Sequence, residues 1–173
     1  MDAPRSDDGV AAPQLVFVIG HRSQPPGRRA YSYPRHMADL PLAGGCLCGG
    51  VRFEVTEPLE SASYCHCTRC QRRTGTAASA QARIAGGSLT ILEGKELVRC
   101  WEPGDGWAKC FCSACGSALW SRDPESGAMS VRLGAFDEDP GIRPQYRQFV
   151  AYAAAWEELP DDGLPRHPER HTA

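Results

Sequence analysis

The sequence predicts a mainly β fold over residues 39–173, made of short antiparallel sheets held together by metal. Two observations predict the strands and a third the metal. Apolar and polar residues alternate over short runs that are broken by Gly, Pro and Asp, a period of two rather than 3.6. A helix is signalled at one place only. Nine cysteines, most of them in three tight clusters, could staple a small β domain whose core is modest.

Taken in order, residues 1–38 carry scattered Pro, Gly, Arg and Asp, including Pro25-Pro26-Gly27-Arg28-Arg29, with one short apolar run, Leu15 to Ile19. That composition predicts a disordered extension. Met37, at its end, could be the true translation start. The run at Leu15 is too short for a membrane span, and Asp2, Asp7 and Asp8 stand where a secretion signal would be basic, so a cytoplasmic address is expected.

Val51, Phe53 and Val55 alternate with Arg52, Glu54 and Thr56, as do Met129, Val131 and Leu133 with Ser130 and Arg132; each set predicts a strand with one buried face. Leu89 to Leu92 and Leu97 to Trp101 flank Glu93-Gly94-Lys95-Glu96, which predicts a hairpin with Gly94 at positive φ. Tyr146 to Tyr152 reads as a further strand. Thr68 is the expected N-cap of a helix of two turns at most, running to Thr74 and closed by Gly75.

A formal charge of -2 supplies no basic surface for nucleic acid and no strong attraction to anionic lipid. An odd number of cysteines without an export signal favours metal over a disulfide framework. Cys112-Ser113-Ala114-Cys115-Gly116 is a zinc-knuckle pattern, in which two sulfurs converge on one ion and the glycine lets the backbone fold beneath it. A structural zinc takes four ligands, and Cys46 and Cys48 are the natural second pair.

Cys65, Cys67 and Cys70 supply three thiolates on one short turn and no obvious fourth ligand, the pattern of an open, substrate-binding zinc. His66 sits between two ligands, but neighbours in an extended segment point opposite ways, so it is expected to face away. Three thiolates make the ion a poor Lewis acid and a good holder of a fourth thiolate, which favours adding a substrate thiol to an electrophile. Arg69, Arg72 and Arg73 could offset the negative charge and receive a carboxylate of a thiol such as glutathione, or form a solvated basic face. Cys100 and Cys110 are expected to be packed or redox-idle thiols.

Gly44-Gly45-Cys46-Leu47-Cys48-Gly49-Gly50-Val51-Arg52-Phe53, Cys65-His66-Cys67-Thr68-Arg69-Cys70 with Gly75, and Phe111-Cys112-Ser113-Ala114-Cys115-Gly116-Ser117 together resemble the glutathione-dependent formaldehyde-activating family, which includes centromere protein V. Leu133 to Pro140 and Trp156-Glu157-Glu158-Leu159-Pro160 are similar to its closing segments. The resemblance implies a β-tent fold, a structural zinc at Cys46, Cys48, Cys112 and Cys115, and a catalytic zinc at Cys65, Cys67 and Cys70. It also implies a carbon-sulfur lyase activity that joins glutathione and formaldehyde into S-hydroxymethylglutathione. Against this enzyme reading stand a non-catalytic, zinc-stapled interaction module and a methionine sulfoxide reductase acting through Cys100, whose surroundings lack the Arg-x-Cys-x-Asn pattern.

Overall fold

Residues 38–171 are described by the computed structural model. The expected disordered extension, apart from Ala38, and the possible start at Met37 therefore lie outside the described residues. The elements are β1 (Leu42–Gly45), β2 (Arg52–Val55), β3 (Ser61–Cys65), α1 (Thr68–Thr74), β4 (Ser79–Ile84), β5 (Leu89–Glu93), β6 (Val98–Trp101), β7 (Ala108–Cys112), β8 (Ala118–Arg122), β9 (Met129–Arg132), β10 (Tyr146–Gln148) and β11 (Arg166–His167). They form a three-stranded sheet in the order β1-β2-β5 and an eight-stranded sheet in the order β11-β10-β3-β4-β9-β8-β7-β6. The chain is mainly β, as its alternation predicts. Pairing is antiparallel except where β10 lies parallel to both β3 and β11.

The two sheets share one core. Val51, Phe53 and Val55 are fully buried, as their alternation requires, and Phe53 packs edge-on against Trp120 of β8 at 5.7 Å and Phe136 at 5.9 Å. Leu119 and Val131 complete the centre.

Four local expectations are revised. The segments around Gly94 are not a hairpin: β5 pairs with β2 in the small sheet, whereas β6 pairs with β7 in the large one. Gly94 does take φ 70°, but it sends the chain from one sheet to the other through a 3-10 turn at Lys95–Leu97. The strand at Tyr146 ends at Gln148, because Phe149 enters the left-handed region at φ 59° and a 3-10 turn follows. The helix N-cap is Cys67, not Thr68: its sulfur accepts from the Cys70 N–H at 3.5 Å, while Gly75 closes the helix at φ 67° as expected. On β9, Ser130 and Arg132 are as buried as Val131, so this strand has no solvent face.

Gly94 and Gly75 share a left-handed backbone but differ in surroundings. A Cβ on Gly94 would lie 1.8 Å from the Gly50 carbonyl oxygen, whereas one on Gly75 meets nothing within 4 Å. Gly75→Ala is therefore expected to cost about 1–2 kcal/mol from backbone conformation alone. Gly94→Ala should cost distinctly more, because the loop beside the first cysteine pair must also move. Urea unfolding of the two variants side by side checks this; equal losses would contradict it.

Candidate metal centres and the cavity above them

Cys46 and Cys48 lie just beyond β1 in a tight turn, closed by the Gly49 N–H on the Cys46 carbonyl (3.0 Å) and by the Val51 N–H on the Cys46 sulfur (3.1 Å). Cys112 ends β7 and Cys115 follows in a turn closed by the Gly116 N–H on the Cys112 carbonyl (2.8 Å), with Gly116 at φ 77°. The Leu47 N–H donates to Ser117 Oγ (2.9 Å) and stitches the two turns together. All four sulfurs fall within 4.8 Å of one another, with Cys46 to Cys48 at 3.5 Å and Cys48 to Cys112 at 4.0 Å. Tetrahedral Zn–S bonds of about 2.3 Å would set sulfurs roughly 3.8 Å apart, so the group could hold one such ion.

Cys65 ends β3, Cys67 caps α1 and Cys70 sits in its first turn, which brings the second group of sulfurs within 4.8 Å. Three sulfurs this close do not ionise independently. Hydrogen bonding from Cys65 holds the Cys67 thiol well below the ordinary thiol range, and the same contact holds Cys65 far above it. Metal binding would release the remaining protons.

His66 is buried but does not join the sulfur group. It lines a separate cavity of about 310 Å³ with Tyr64 and Ala77. Its Nε2 lies 3.3 Å from Arg147 Nη1, and Arg147 Nη2 donates to Asp162 Oδ2 at 2.6 Å. A guanidinium only donates, so Nε2 accepts and the imidazole is neutral. Burial first, and the Arg147 charge second, push its pKa down.

The three-cysteine group forms part of a cavity of about 670 Å³ that Trp107, Lys109 and Tyr146 also line. Of the three arginines singled out by sequence, Arg69 lines this cavity, while Arg73 packs behind it. Arg69 forks onto the Asp105 carboxylate at 2.6 and 2.7 Å, and Arg72 is exposed. Arg73 is joined instead by two cations that sequence proximity did not indicate, Lys109 on β7 and Arg132 on β9. All three reach Ser121 Oγ, at 3.2 Å from Arg73, 2.8 Å from Arg132 and 3.4 Å from Lys109. Burial pushes Arg73 down to about 9 and lowers Lys109 and Arg132 as well, while the Cys70 charge opposes the shift in each. The one available signal was an arginine on a short, largely apolar strand, at Arg132.

Cys100 and Cys110 form a disulfide and are not the idle thiols expected. They stand directly opposite one another on β6 and β7 with Cα atoms 4.0 Å apart, a pairing hidden as long as β6 was matched to β5. Cys100 thus offers no free thiol for sulfoxide reduction. Among the described residues no helix is long and apolar enough to cross a membrane.

The chain matches known proteins at the level of family, sequence and structure. The model of the glutathione-dependent formaldehyde-activating enzyme family matches residues 41–152. A Halomonas elongata protein named "Putative glutathione-dependent formaldehyde-activating enzyme" is 32% identical over 92 residues, covering 48% of this chain and 57% of the relative's length. A crystal structure of a Rhodobacter sphaeroides protein aligns with TM-score 0.47 and 24% identity, over 73% of this chain and 99% of that one.

The His66–Arg147–Asp162 chain makes its own prediction. Arg147 is almost fully buried and also stacks over Tyr64 at 4.5 Å. Arg147→Ala should cost about 2–3 kcal/mol, between an exposed pair at roughly 1 and a fully buried one at 3–5. The hydrogen bond from Arg147 holds the Asp162 carboxyl below its ordinary 3.8, so the pair's contribution is present above about pH 4 and is lost as pH falls through the lowered value. The gap between wild type and variant in thermal unfolding should therefore narrow in acid; a gap independent of pH, or none at pH 7, would contradict the assignment.

Proposed function

We propose, for a chain that belongs to the glutathione-dependent formaldehyde-activating family, that it is a zinc enzyme binding a small thiol such as glutathione and adding it to an aldehyde such as formaldehyde. The observation that carries this reading is the position of Cys65, Cys67 and Cys70: three sulfurs with no fourth protein ligand among the described residues, at the wall of a 670 Å³ cavity. An interaction module would have no evident use for that opening. The family and the relative's name support glutathione and formaldehyde as the substrates.

In this reading two zinc ions bind per chain. Cys46, Cys48, Cys112 and Cys115 hold a structural one, and Cys65, Cys67 and Cys70 hold the other in a site left open to the cavity. The open zinc would supply a coordination position that keeps an incoming thiol deprotonated at neutral pH. The chain's own part is to bind and orient. Lys109, Arg73 and Arg132 offset negative charge around Cys70, and the cavity brings sulfur and carbonyl carbon together, which removes the entropic cost of their encounter. The new bond joins sulfur to the aldehyde carbon, and the hydrogen lost from the thiol is made good on the aldehyde oxygen, so the sum is S-hydroxymethylglutathione. The seven cysteines outside the Cys100–Cys110 disulfide must stay reduced to hold metal, and the cytoplasm is the proposed address.

Metal analysis together with calorimetry tests the proposal. Wild type should carry two zincs and bind glutathione. Cys67→Ala should keep one zinc and the fold but lose glutathione binding, whereas Cys112→Ala should lose the fold itself. A single inert zinc, or no glutathione binding by the wild type, would overturn it.

A further inference from the structure

Lys109, Arg73 and Arg132 meet at a single hydroxyl without a carboxylate among them. Ser121 is fully buried, its oxygen has only two lone pairs for three cationic donors, and as a neutral hydroxyl it cannot balance their charge. Among the described residues no ion pair involves any of the three. Clustered like charges at a buried site are unfavourable unless an anion matches them.

The anion at hand is the cysteine group, since Cys70 acts electrostatically on all three cations. Three thiolates around one divalent ion amount to a net single negative charge, which leaves the three cations undercompensated. The rest of the cavity wall does not make up the difference. Asp105 is taken by Arg69, Arg170 acts electrostatically on Asp123, and Arg83 lies over the Trp107 ring at 4.8 Å with no ion pair among the described residues. Of the three clustered cations only Lys109 itself lines the cavity.

We infer that Lys109 is a specificity-determining residue: its ammonium, backed by Arg73 and Arg132, selects thiols that bring carboxylates of their own over neutral or cationic thiols. This rests on the thiol-binding reading above and adds a charge requirement to it. A tripeptide thiol with two carboxylates fits the excess; its diester or a simple aminothiol does not.

Calorimetry on the zinc-loaded protein with glutathione, glutathione diethyl ester and cysteamine tests the inference without relying on turnover. Glutathione should bind wild type about tenfold or more tightly than either of the others, the size expected for one charge-assisted contact. That preference should weaken as salt is raised. In Lys109→Met it should fall to within about twofold, and Lys109→Arg should restore most of it. The wild-type comparison stands even where a variant folds poorly. Equal binding of glutathione and its diester would overturn the charge requirement while leaving thiol binding intact, and a preference undiminished in Lys109→Met would overturn the role of Lys109. Failure of all three thiols to bind would overturn the underlying reading as well.

Discussion

The meeting of Cys46, Cys48, Cys112 and Cys115 is the constraint on which the rest of the structure depends. Two turns more than sixty residues apart place four sulfurs within 4.8 Å of one another. As bare thiolates they would repel; around one divalent ion they would become a closed joint. The two turns lie at the end of β1 in the small sheet and the end of β7 in the large one, so such a joint would fix how the two sheets face each other across Phe53 and Trp120. Loop closure of this length is costly for the chain alone, which is why metal binding and folding are coupled in small domains of this kind.

With the sheets so placed, the large one can present a second group of sulfurs at its other face. Cys65 is the last residue of β3, and the chain turns at once into α1, whose first turn returns Cys70 to the same point. Strands β7, β8 and β9 lie alongside and contribute Lys109, Ser121 and Arg132 from three separate segments. The electrostatics of the site are therefore a property of the sheet. On the opposite side of the same turn, His66, Arg147 and Asp162 fasten the C-terminal segment behind the cysteines. The turn is gripped from both faces: one carries charge toward the cavity, the other carries rigidity.

The Cys100–Cys110 disulfide adds a covalent tie within β6 and β7, two residues from Cys112 and one from Lys109. It braces the edge hairpin that supplies both a sulfur of the closed joint and the cation of the cavity. Nine cysteines are thus divided into a group of four, a group of three and one pair, each with its own mechanical task.

The sequence by itself determined what depends on spacing. The β character, the buried face of Val51, Phe53 and Val55, the left-handed glycines at Gly75, Gly94 and Gly116, and the grouping of cysteines into local turns follow from contacts between near neighbours, which alternation and short motifs record. Tertiary structure alone decided which distant segments meet. It parted β5 from β6 into different sheets, set β10 parallel to β3, joined Cys100 to Cys110, and turned Ser130 and Arg132 inward. The physical reason is the same in each case. A strand's partner, and whether its second face meets water or a charged cavity, depends on residues tens of positions away, and no local pattern carries that information.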